Sequence, residues 1–135
     1  MRALWTVLAL TFSLLAAHAQ PAKFPTDDVV RTEMKAIRDL TANVHTLVTH
    51  RRMPPADARI YLAKVKAAVA RIKAGTTMAG EAREEIEKLA GYIEKGASAV
   101  AGEDKMEAID GILIVDDSLS IYAQRFDHPD WQPLR

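Results

Sequence analysis

The stretch DKMEAIDGILIVDDSLSIYAQRF, residues 104–126, decides how this chain folds. Ala108, Ile112, Val115, Leu119, Tyr122 and Phe126 recur in it at alternating four- and three-residue steps, the period that lines one face of an α-helix. Asp116 and Asp117 fall beside that stripe, on the side such a helix turns to water. At its front, Asp104 and Glu107 have the spacing of a capping box, whose two side chains satisfy free backbone N–H groups reciprocally. The stretch therefore predicts a capped amphipathic helix that lays one apolar face on a core.

Three earlier segments repeat the pattern. Val30, Met34, Ile37, Thr41, Val44 and Val48 make one face of a helix expected to start at Thr26, whose hydroxyl can cap it while Asp27 and Asp28 suit the positive end of its dipole. Met53-Pro54-Pro55 ends it, because proline cannot continue the hydrogen-bond ladder. A second helix is expected over about 56–75, through Leu62, Val65, Val69 and Ile72, and a third over about 80–101, through Ile86, Leu89, Ile93 and Val100. Gly91 and Gly96 inside the third are read as sites of close helix packing. No run alternates apolar and polar residues over a strand's length, so no sheet is expected. The fold class is all-α: four helices with short connections, hence an antiparallel up-down-up-down bundle.

The length of 135 residues suits one domain. Its first residues, MRALWTVLALTFSLLAAHAQ, place Arg2 before an apolar run that closes on Ala17-His18-Ala19, an A-x-A cleavage pattern. Residues 1–19 are thus expected to be a cleaved signal peptide, and residues 20–135 the bundle, with 127–135 as a short tail. The apolar run is shorter than the roughly 20 residues of a membrane span, so no integral membrane association is expected after cleavage. The location implied is periplasmic or secreted. There is no cysteine, which excludes disulfides and the C-x-x-C-H attachment of covalent haem. Basic and acidic residues balance at 18 each, a poor surface for nucleic acid or anionic lipid.

Little in the chain promises catalysis. No Glu or Asp stands three residues before a histidine, as a di-iron bundle needs. His45 and His50 lie about 140° apart around a helix and are read as polar residues at the edge of the core stripe or in solvent. No nucleophile–base pair or phosphate loop occurs, and the chain is read as no enzyme. The second helix carries five basic residues against one acid, and the third is acidic through Glu81, Glu84, Glu85, Glu87 and Glu94. That asymmetry could steer a partner, although attraction between the two helices explains it more simply. An up-down topology gathers Met34, Met78, Tyr122, Phe126 and His128 at one pole, with Met53 and Met106 at the other. Thioether and imidazole suit copper, so Met34, Met78 and His128 form a candidate soft-metal site.

Met34-Lys-Ala-Ile37, followed by Thr41 and Val44, resembles the first helix of the soluble cytochrome b562 family, in which a methionine at that place is an axial haem ligand. Tyr122-Ala-Gln-Arg-Phe126 is similar to that family's Tyr-His-Gln-Lys-Tyr segment. The likeness spans roughly residues 26–126, mostly through helix lengths. It implies an exported four-helix bundle that holds haem b between Met and His for electron transfer. The family's axial histidine, however, falls on Ala123, which cannot bind iron. His128 stands five residues on, displaced by about 7.5 Å and about 140° in a continued helix, and Pro129 biases it away from helical conformation. It is read as a loop residue. The residues therefore favour a haem-free binding or interaction module with an exported protein partner. The alternatives are a non-covalent haem-b carrier using Met34 and His128, and a copper-binding protein. Trp131 and Leu134 could fold back over the pole or simply fray.

Overall fold

The computed structural model describes residues 21–134, so the expected signal peptide, 1–19, lies outside the described residues. Four helices follow one another: α1 (Asp28–Thr49), α2 (Pro55–Gly75), α3 (Gly80–Val100) and α4 (Ala108–Arg125). Each helix packs on its neighbours in the chain and α1 closes on α4, which makes a four-helix bundle. The α3–α4 contact is the most extensive and the α1–α4 contact the least. All four apolar stripes converge on one core that includes Val30, Met34, Ile37, Val65, Ile86 and Ile112. No helix among the described residues is long and apolar enough to cross a membrane.

Two details explain how the core closes. Thr41 sits in the α1 stripe, fully buried. Its hydroxyl lies 2.8 Å from the Ile37 carbonyl and 3.0 Å from the Tyr61 hydroxyl of α2, so neither buried polar group is left unpaired. Burial also pushes the Tyr61 phenol up to about 12. The tight α3–α4 contact rests on two glycines. A Cβ on Gly96 would stand 2.5 Å from the Gly111 carbonyl, and one on Gly111 would stand 2.5 Å from the Gly96 carbonyl. Gly91 does not share this role, since it is exposed with nothing within 4 Å of a Cβ built on it.

The helix ends depart from expectation. Asp27, not Thr26, caps α1: its Oδ1 accepts from the Val30 N–H at 2.9 Å. Thr26 instead donates its hydroxyl to the Asp127 carbonyl at 2.6 Å. The capping box before α4 does not form. Asp104 accepts from the Met106 N–H at 3.0 Å in a local turn, and Glu107, at the N-cap, makes no side-chain cap bond. Its carboxylate lies 3.5 Å from Arg51, across the far pole. Phe126 leaves the helix at φ −120° and ψ 140°. It forms a two-residue parallel ladder, β2 (Phe126–Asp127) against β1 (Phe24–Pro25), so the expectation of no sheet is overturned on a small scale. Two residues are too short for an alternating pattern to betray. The pairing keeps the Phe126 ring buried after the helix has ended.

Candidate functional site: the aromatic pole

Asp27 and its neighbour Thr26 gather three parts of the chain. Besides capping α1, Asp27 accepts through Oδ2 from the Thr76 hydroxyl and the Thr77 N–H, both at 2.7 Å, and from the Thr77 hydroxyl at 3.3 Å. Thr26 ties the same turn to Asp127 after α4. The start of α1, the α2–α3 loop and the end of α4 therefore meet. Partial burial disfavours the Asp27 anion, but the four donors outweigh it and hold its carboxyl down at about 2.

Above this junction the chain builds a cluster of rings. Tyr122, fully buried, stacks on Phe126 at 5.2 Å between centroids, and Phe126 meets Phe24 at 5.5 Å. The tail then turns back. Trp131 meets the edge of Tyr122 at 4.9 Å and of His128 at 5.0 Å, and its backbone N–H donates to the His128 carbonyl at 3.2 Å. Arg38 of α1 fixes the end of this strap by donating to the carbonyls of Gln132 at 2.8 Å and Pro133 at 2.9 Å. Trp131 and Leu134 rest against the core, so the tail is a lid and does not fray.

The predicted site residues now have places. Met34 is fully buried inside the core, without contact with solvent. Met78 is half-buried at the core's edge, with its N–H on the Thr76 hydroxyl at 3.1 Å. His128 is half-buried, and its Nδ1 lies 2.8 Å from the Tyr122 hydroxyl. Burial chiefly, then the nearby charges of Arg31 and Lys35, push the imidazole below its ordinary range against the opposing pull of Asp130. Burial likewise raises the Tyr122 phenol, so at neutral pH the phenol keeps its proton. The phenol donates to Nδ1 when the imidazole carries its own proton on Nε2. Ala123 is half-buried. It borders an open cleft of about 440 Å³ together with Lys23, His128 and Trp131. Its carbonyl accepts from Lys23 at 3.0 Å.

Iron in haem b needs axial donors facing one flat slot. Here Ala123 offers no donor, the phenol holds one nitrogen of His128, and the rings of Tyr122, Phe126 and Trp131 occupy the pole. These residues do not fit the group. Among the described residues no three His, Asp or Glu side chains come together around a possible metal ion. The residues that sequence reasoning missed are Asp27 and Arg38. Asp27 was seen only as a helix-dipole charge, and a guanidinium that binds backbone carbonyls leaves no spacing signal. No family model matches the chain, and no match is found among curated proteins or solved structures.

Proposed function

We propose that this chain is an exported, antiparallel up-down-up-down bundle that works as a haem-free binding or interaction module. In this reading it keeps the scaffold of the cytochrome b562 type, with Ala123 in place of the axial histidine and the tail strapped over the vacated pole. The observation that carries the reading is the closure of that pole: the Tyr122 hydroxyl engages His128 Nδ1, and Trp131 lies against both rings. An electron carrier leaves its ligands facing a cofactor. A binding module has no such need, and its rigid bundle presents helix faces to a partner.

The test is an absorption spectrum of protein exported by a host and then titrated with haem. Exported protein should start at Gln20 by mass and show no sharp Soret band. A stoichiometric Soret band that disappears in His128→Ala would overturn the reading in favour of a haem-b carrier. Calorimetry with Cu(I) addresses the remaining alternative, and heat that vanishes on both Met34→Leu and His128→Ala would favour it.

A further inference from the structure

The charge asymmetry between α2 and α3 is not used up inside the bundle. Two of the five acids of α3 find partners outside α2: Glu87 pairs with Arg83 at 2.7 Å, and Glu85 with Lys88 at 3.1 Å and Arg125 at 3.9 Å. On α2, Lys66 reaches only Glu103, at 3.9 Å, while Arg59, Lys64 and Lys73 have no ion-pair partner among the described residues. All five basic side chains of α2 are exposed, against the single acid Asp57. Among the described residues no ion pair joins α2 directly to α3.

The α1–α2 seam beside these cations is open. Two clefts follow it and meet at Arg71. One, of about 380 Å³, has Leu40, Lys64 and Ala67 on its walls, and the other, of about 480 Å³, has Val29, Glu33 and Ala74. From Lys64 to Gly75 the groove runs about 16 Å, three turns of helix. At its centre Arg71 donates Nε to Glu33 Oε1 at 2.8 Å, which leaves both terminal amines of the guanidinium without a partner among the described residues. Glu33 is 9% exposed, and its Oε2 is buried with no hydrogen-bond donor. Burial of this carboxylate holds the Arg71 side chain at the groove's floor through their ion pair. The acids on the α1 bank do not oppose an anion, because Asp28 is paired with Arg31 at 2.9 Å and Asp39 with Lys35 at 2.7 Å.

We propose that the α1–α2 groove docks an acidic helix of a partner protein, with a partner carboxylate on the free amines of Arg71. This names the partner class for the interaction-module reading and rests on it. Small walls at Ala67, Ala74 and Gly75 admit the backbone of a helix closely, and guanidinium suits bidentate capture of carboxylate. A membrane is the weaker occupant, since membrane-binding faces carry several large apolar side chains and the outer face of α2 has only Ile60, 53% exposed. A second copy of the same face is opposed by its own cations.

The mature protein, labelled with ¹⁵N, is titrated with a synthetic helical peptide of about four turns that carries alanines on one face and glutamates along both flanks. A twin peptide with lysines replacing the glutamates and vesicles of phosphatidylglycerol serve as comparisons. Shift changes should map to residues 29–43 and 60–75, and Lys64→Glu, at an exposed position, should weaken binding roughly tenfold. Ala67→Trp should block the groove while circular dichroism shows the bundle intact. No binding of the acidic peptide, equal binding of its twin, shifts confined to other faces, or preference for vesicles each overturns the proposal. Haem uptake in the spectrum above would end the module reading without altering this titration, so the two failures are distinguishable.

Discussion

The hydroxyl of Tyr122 lies 2.8 Å from Nδ1 of His128, so the last helix and the tail that covers it are joined by one proton. Burial and two nearby cations hold the His128 imidazole below its ordinary range, which makes that joint sensitive to pH. His128 faces Tyr122 from α4, Arg31 and Lys35 from α1, and Asp130 and Trp131 from the tail. Two cations against one acid oppose protonation, and so does burial.

The sign follows from linkage. The folded pKa lies below the unfolded value of 6.5, so the neutral imidazole contributes stability that is fully present above pH 6.5. That contribution fades as pH falls through the folded value. Trp131 is the only tryptophan left once residues 1–19 are removed, which makes its fluorescence a direct reporter of the strap. Its emission should shift toward that of exposed tryptophan as pH drops below 6.5, and His128→Gln should flatten the response in that window. An unchanged titration in His128→Gln would assign the response to another group.

Asp27→Ala should destabilise more than an ordinary lost cap, which costs about 1 kcal/mol. The substitution also strips Thr76 and Thr77 of their acceptor, so about 2 kcal/mol is expected. Because the Asp27 carboxyl is held at about 2, below its ordinary 3.8, its contribution is complete above pH 3.8 and is lost as pH falls through 2. Urea melts of wild type and variant should therefore converge in strong acid. A gap that persists there would mean the anion is not what matters.

The two central glycines of α3 should respond oppositely to alanine. Gly96→Ala drives a methyl against the Gly111 carbonyl and the Val115 side chain, at 2.5 and 2.8 Å, and overpacking of this kind costs about 1–3 kcal/mol. Gly91→Ala meets nothing, and relief of glycine's entropy in a helix should stabilise by about 0.5–1 kcal/mol. Losses of similar size at both positions in thermal melts would contradict the α3–α4 contact described above.

Periodicity made the four helices and their buried faces legible, because burial repeats along a helix and leaves a pattern. It could not separate Gly91 from Gly96, since which glycine meets a neighbour depends on how the helices are rotated. Single contacts across the chain were equally hidden. Thr26 and Asp27 are both good capping residues, and the choice was decided by what else each could reach, Asp127 for one and the α2–α3 loop for the other. The candidate site was half legible. Its members Tyr122, Phe126 and His128 meet in the structure, but the strap depends on Arg38 holding two carbonyls, and a bond to a backbone acceptor leaves no mark in the sequence.

The resemblance to the cytochrome b562 scaffold can be tested by restoring what it lacks. Ala123→His would place an imidazole where the resemblance puts that family's axial ligand. In this structure, however, residue 123 borders the cleft shared by Lys23, His128 and Trp131, whereas Met34 is sealed in the core. The new ring would meet the strap first, so Ala123→His alone should stay folded and gain no haem. Adding Trp131→Ala removes the ring that lies over Tyr122 at 4.9 Å and opens the pole. The double variant should bind haem more tightly than either single variant, with a low-spin, six-coordinate spectrum, and Met34→Leu on top of it should change that spectrum. Haem bound by Ala123→His without help would mean that the strap does not guard the pole. A folded double variant with no gain in affinity would mean that Tyr122-Ala-Gln-Arg-Phe126 does not occupy the place of the family's segment, and that the likeness ends at helix length.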